Sequence, residues 1–162
     1  MFKRRWAAGS LVAAALTSVG IFTVTAGAGG AAQVDGIAKF APAGECTEIA
    51  GVFPPLKMEG DLVGCWYTTW LEPTVSTPSG VYQEVGTETF IGCLADGVTC
   101  GTFNTTYRFT AKFAPSGAEI HGRCQHPIVS GTGGFAGATG RIDFKDDVVN
   151  GCFYYRGHLK IQ

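Results

Sequence analysis

Between Gly101 and Phe113 the chain reads GTFNTTYRFTAKF, and its residues sort into two files. Phe103, Thr105, Tyr107, Phe109, Ala111 and Phe113 fall on one side; Asn104, Thr106, Arg108 and Lys112 fall on the other. A period of two with that contrast describes a strand with one dry and one wet face, and it rules out a helix, which would mix the files. The final segment repeats the pattern, with Phe153, Tyr155, Leu159 and Ile161 set against Tyr154, Arg156, His158 and Lys160. Ile142 and Phe144 alternate with Arg141, Asp143 and Lys145, and Glu119, His121, Arg123 and Gln125 form a polar file opposite Ile120 and Cys124. Upstream, DLVGCWYTTWL and GVYQEVGTETFIG read as two strands joined by the loop EPTVSTPS.

Short turn sequences separate these segments: Ala95-Asp96-Gly97, Pro115-Ser116-Gly117 and Asn150-Gly151. Six strands are firm, with weaker candidates around Asp35 to Phe40, Thr47 to Val52 and Pro127 to Ser130. No stretch after residue 33 has a helical period. Antiparallel strands at this spacing make a sandwich or a barrel. Short hairpin links favour an up-and-down meander, and closing it removes the exposed edges. The expected fold is therefore all-β, an antiparallel closed barrel of about eight strands.

The run SGTGGFAGATG, Ser130 to Gly140, follows the apolar pair Ile128 and Val129 and superficially matches a dinucleotide-binding fingerprint. That fingerprint must open a helix, and Gly137 and Gly140 would lie inside it at about 1 kcal/mol each relative to alanine. The strand RIDFKDDV begins at once and leaves no room for a crossover. Gly131, Gly133, Gly137 and Gly140 are therefore assigned to bends, bulges or close backbone approach, with Phe135 as the bulky side chain that plugs the core.

GTGGFAGATGRIDF, followed by a strand, a tight turn and the aromatic strand GCFYYRGHLKI, resembles the G-T-G-x-F-x-x-A-x-G hallmark of the allene oxide cyclase and dirigent superfamily. GTFNTTYRFTAKF-APSGAEIHGRCQHPIV resembles the central strands of that group in spacing, so the likeness spans roughly Asp61 to Gln162. It implies an eight-stranded calycin-like barrel whose cavity holds a reactive apolar molecule in one conformation, so that cyclisation or coupling gives one stereoisomer. It implies no cofactor, and it implies a homotrimer. The six cysteines and a leader of bacterial character depart from the plant members.

Phe2-Lys3-Arg4-Arg5-Trp6 precedes the uncharged run AAGSLVAAALTSVGIFTV and then TAGAGGAA. Basic, apolar and small-residue regions in that order describe a secretory signal peptide over residues 1–28, with cleavage after Ala28 or as late as Ala32. An uncleaved membrane anchor is the rival, weakened by Gly9, Ser10, Thr17, Ser18 and Gly20 within the run. Residues 33–44 form a lead-in, and 45–162 form one barrel domain. Removal of Lys3, Arg4 and Arg5 leaves nine basic residues against thirteen acidic ones, a formal charge of −4. Such a chain has no electrostatic reason to seek nucleic acid or an anionic membrane.

All six cysteines follow the leader, which reads as disulfides in a secreted protein. Cys93 and Cys100 bracket the turn LADGVT and face each other across a hairpin. For Cys46, Cys65, Cys124 and Cys152 several pairings stay open: Cys65 with Cys152, or Cys46 with Cys65 and Cys124 with Cys152.

A cyclisation cavity works by orientation and exclusion of water, with a carboxylate or hydroxyl near developing charge. The candidates are Glu84 and Glu88, on one strand face with Tyr82 and Phe90, and the hydroxyls of Tyr107 and Tyr155. Phe103, Phe109, Phe113, Phe144 and Phe153 are the expected lining. Two placements are open for the glutamates: inside, among aromatic rings that raise a carboxyl pKa, or out in solvent. No metal site is expected, because in a strand His121 points away from Cys124 and His126. A Cys-His nucleophile is set aside on the expectation that Cys124 is oxidised, and hydrolase and NTPase signatures are absent. Arg108, Arg123, Arg141 and Arg156, beside Glu119, Asp143, Asp146 and Asp147, are assigned to cross-strand pairs on the wet surface. Asn104-Thr105-Thr106 is a formal glycosylation acceptor. Two functions are compatible with these residues: a secreted barrel that binds a hydrophobic small molecule and guides its cyclisation or isomerisation, or an extracellular structural or interaction barrel with a filled interior.

Overall fold

The computed structural model describes residues 30–162, and the signal-peptide reading of 1–28 lies outside the described residues. Eight strands follow one another: β1 Ala32–Phe40, β2 Leu56–Gly60, β3 Leu62–Ser76, β4 Val81–Leu94, β5 Cys100–Phe113, β6 Glu119–Gly133, β7 Thr139–Asp147 and β8 Cys152–Lys160. Each pairs antiparallel with the next, and β1 also pairs with β8, from Ala32 opposite Leu159 to Ala38 opposite Phe153, which closes the barrel. No helix occurs among the described residues.

The inner faces follow the period-two files. In β5, Phe103, Thr105, Tyr107 and Ala111 are buried; in β8, Tyr155 and Leu159; in β7, Ile142 and Phe144. The segment Gln33 to Gly44, expected as a lead-in with only a weak strand candidate at Asp35 to Phe40, supplies in β1 the stave that closes the sheet. Its pattern AQVDGIAKF is weak because Gly36 must stay bare: a Cβ there would sit 2.4 Å from the Tyr155 hydroxyl. Thr47 to Val52 forms no strand, and Pro127 to Ser130 is the continuation of β6. The expected loop EPTVSTPS is largely strand as well, because register shifts between Thr68 and Trp70 and between Pro73 and Val75 let a proline-bearing segment stay paired with β4.

The glycine run turns the chain from β6 to β7 at one end of the barrel. Gly133 and Gly137 have φ of 61° and 70°, and a Cβ on Gly131 would lie 2.0 Å from the Phe135 carbonyl oxygen. This tight path delivers Phe135, fully buried, against Phe90 and Phe103 at centroid distances of 5.8 and 5.3 Å. Phe90 and Phe103 stack at 4.8 Å, and Trp66 stands against both. That end is solid. Tyr155 belongs to it, its hydroxyl accepting from Leu62 N at 2.9 Å.

Two disulfides form, and they fit an oxidising, extracellular setting. Cys93–Cys100 staples the β4–β5 hairpin as expected. Cys46–Cys65 ties the long β1–β2 loop to β3, where Cys46, Cys65 and Tyr67 make a small cluster outside the barrel. The reading of all six cysteines as disulfides is corrected: Cys124 and Cys152 are buried thiols. They stand on strands separated by β7, and Cys152 precedes the inward-facing Phe153 whereas Cys124 itself faces inward, so they do not meet.

Truncating the plug, Phe135→Ala, is expected to lower stability by about 3–5 kcal/mol, the range for emptying a buried aromatic site. Val149→Ala, at a residue 89% exposed, is expected to change it by less than about 0.5 kcal/mol. Denaturant unfolding of both variants measures the difference.

Candidate functional site

The other half of the barrel is hollow. A cavity of about 580 Å³ lies at the end carrying the β1–β2 loop, lined by residues of β2 through β8 and by Phe40, Phe53 and Pro54. The Cys46–Cys65 bridge and the bond from Val52 N to Thr68 O at 2.7 Å seat that loop, which brings Phe53 and Pro54 to the cavity wall. Of the expected lining residues, Phe109, Phe113, Phe144 and Phe153 take their places in the wall. Phe103 does not, because the Phe135 plug absorbs it, and Tyr155 is likewise withdrawn, its hydroxyl engaged by the Leu62 backbone.

Both glutamates point inward, at 7% exposure for Glu84 and 8% for Glu88. Glu88 is the hub of a buried network. Its Oε2 accepts from Trp66 Nε1 at 2.6 Å and contacts His126 Nε2 at 2.8 Å, while its Oε1 accepts from Thr68 Oγ1 at 2.8 Å. His126 is 1% exposed, boxed edge-on by Trp66 and Phe144 at 5.2 and 4.8 Å. Its Nδ1 lies 2.9 Å from the Ile142 carbonyl oxygen, which can only accept, so Nδ1 carries a hydrogen. The short Nε2 to Oε2 contact then requires a second, shared proton between imidazole and carboxyl. Glu88 and His126 thus form a proton-holding pair at the floor of an apolar cavity. A pair of this type can give or take a proton without waiting for solvent.

Glu84 lies nearer the mouth, where its two oxygens accept from Tyr82 at 2.6 Å and Tyr107 at 2.8 Å. The register explains the reach. Tyr107 faces Gly86, and a Cβ on Gly86 would stand 2.5 Å from the tyrosine ring, so the bare position lets the ring lie across β4. Burial, then the bond to Glu84, pushes Tyr82 up to about 12 and raises Tyr107 further. Both hydroxyls are therefore neutral donors that hold Glu84 as an acceptor.

Glu119 and Asp146 also line the cavity, which corrects their assignment to surface ion pairs. Lys112 pairs with His121 but Phe113 pairs with Glu119, so Ile120 is an extra residue that rotates Glu119 inward beside Asp146. Gly122 leaves the space: a Cβ there would meet Asp146 Oδ2 at 2.2 Å and Glu119 Oε1 at 2.5 Å. Burial first, and then the neighbouring Glu119 carboxyl, push the Asp146 carboxyl up to about 7. On the wet face, Arg141 and Asp143 make an exposed pair at 2.8 Å.

His121 is exposed while Cys124 and His126 are buried inside, the divergence that period two predicts. Cys124 is a thiol in the cavity wall, not half of a disulfide, so its expected oxidation is not the reason it is a poor nucleophile. Burial, followed by the charges of Glu88, Asp146 and Glu84, raises its pKa far above the usual thiol range and keeps it protonated.

Sequence reasoning found Glu84, Glu88 and Tyr107 through their shared strand faces. It missed Trp66, Thr68 and His126 as their partners. The signal was present in parity alone, since Trp66 and Thr68 alternate with the exposed Val63 and Thr69, and His126 alternates with Gln125.

The raised Asp146 carboxyl gives a signed expectation. In the unfolded chain an aspartate ionises near its ordinary value of about 3.9, whereas folded Asp146 keeps its proton to about 7. Between those limits the unfolded state binds fewer protons, so this group lowers stability as pH rises, and its effect is constant above them. Asp146→Asn is expected to remove that decline: its Tm should gain on the wild type between about pH 4 and about pH 7, and parallel Tm profiles would refute the assignment. Comparisons with protein-family models, with curated proteins and with solved structures find no match to this chain, so its function is inferred from the geometry above.

Proposed function

We propose that this chain is an exported barrel that binds a hydrophobic small molecule in its cavity and guides a cofactor-free isomerisation or cyclisation there. The observation that carries the reading is a hollow of about 580 Å³ with aromatic walls and a buried Glu88–His126 pair at its floor. That volume is in the range of small-molecule sites. A barrel acting only by its surface needs no such space, and the solid packing that this alternative requires is confined to the Phe135 end.

The chemistry follows from the same geometry. Phe109, Phe113, Phe144 and Phe153 fix the conformation of an apolar chain and exclude water, which converts a loose reaction into an oriented one. Glu88 and His126 exchange a proton with the reacting atoms, and Glu84, held by two tyrosines, stabilises positive charge or a hydroxyl that develops nearer the mouth. Trp66 and Thr68 are positioning residues that hold the Glu88 carboxyl in place. The disulfides and the leader, basic at its start and then apolar, support export.

Nile red is expected to bind the folded protein saturably at one site with a blue-shifted emission. Cys124→Trp, which fills the cavity, should abolish that binding while circular dichroism stays unchanged. A neutral allene oxide that cyclises spontaneously to a racemate should give one enantiomer in excess with the wild type, and a racemate with Glu88→Gln. A racemate from the wild type removes the cyclisation. Absence of saturable Nile red binding removes the cavity function as a whole.

A further inference from the structure

The charge inventory of the cavity narrows what can occupy it, an inference that rests on the binding function proposed above. Four of the eighteen lining residues carry carboxyl groups, Glu84, Glu88, Glu119 and Asp146, and none is lysine or arginine. His126 is the one basic lining group, and it is already engaged by Glu88 at 2.8 Å. Glu84 has no basic partner: each of its oxygens accepts one tyrosine hydroxyl and keeps a second lone pair. Glu119 and Asp146 lie side by side, with Glu119 Oε1 buried and without a hydrogen-bond partner. Lys145, Arg123 and His121 border Asp146 from a separate groove that also includes Thr110. The cavity wall itself is therefore an aromatic surface with an uncompensated negative excess.

Both properties select against an anionic ligand. A carboxylate or sulfate head would enter a low-dielectric space beside like charges with no basic group to receive it. A cation meets the opposite situation. Its charge is balanced by Glu84 and by the Glu119 and Asp146 pair, and aromatic faces add cation–π attraction. Tyr82, Phe109 and Phe113 cluster at the Glu84 level, with Tyr82 centroids 6.3 and 5.9 Å from the two phenylalanines. We propose that the cavity takes a lipophilic cation, an amine or quaternary ammonium carrying a hydrocarbon body, with its head on Glu84 and its body against the phenylalanine wall.

Four probes with one tail separate the terms: octylamine, octyltrimethylammonium, octanol and octanoate, titrated calorimetrically into the folded protein near neutral pH. Both ammonium compounds are expected to bind about tenfold tighter than octanol, and octanoate weakest of all. Glu84→Gln should narrow the gap between octylamine and octanol, and added salt should narrow it further. Nile red reports cavity integrity in each variant. Octanol or octanoate binding as tightly as octylamine overturns the cation preference and leaves the hydrophobic cavity standing. Silence of octylamine beside saturable Nile red does the same. Failure of all four probes and of Nile red overturns both readings.

Discussion

Closure of the sheet between β1 and β8 is the constraint on which everything else rests. Eight antiparallel strands in sequence leave two edges unless the first meets the last, and Ala32 to Ala38 meet Phe153 to Leu159 along the whole of that seam. Once closed, the barrel has a circumference set by strand number, and its interior must be filled by whatever the inward files supply. The files are uneven. Phe90, Phe103, Phe135 and Trp66 fill one end completely, while the other end receives carboxyls, tyrosines and a thinner ring of phenylalanines. A half-solid, half-hollow barrel is the result.

Carboxyl groups persist in the hollow half because each is given a way to be buried. An unpaired buried charge would lose several kcal/mol of hydration. Glu88 recovers this through three hydrogen-bonding neighbours and Glu84 through two tyrosine hydroxyls. Glu119 and Asp146 take another route, in which one carboxyl keeps its proton to about pH 7. Structure that serves only stability would replace such groups with hydrocarbon at little loss. Their concentration on the cavity wall is the feature on which the proposed function rests.

The files of β5, β7 and β8 were legible because strong aromatic alternation survives any tertiary context. The Cys93–Cys100 staple was legible for a related reason, since a two-strand turn with Asp96-Gly97 brings the thiols together locally. β1 and β2 were harder to read. Gly36 and Gly60 interrupt their pattern to make room for Tyr155, a residue about a hundred positions away. Glu119 was read on the wrong face because one bulged residue, Ile120, inverts parity beyond it, and bulges leave no periodic trace. Cys124 and Cys152 look like partners by count, but the strand order keeps β7 between them.

By itself the sequence determined the strand files, the turns, the plug residue Phe135 and the placement of Glu84 with Glu88 on one strand face, because these follow from period two and local backbone sterics. Tertiary structure alone decided that this face is the dry one. It also decided that Trp66, Thr68 and His126 converge on Glu88 and that Phe103 and Tyr155 are spent in the solid end. The physical reason is that hydrogen-bonded convergence across β3, β4 and β6 depends on register and barrel closure, which no local pattern encodes.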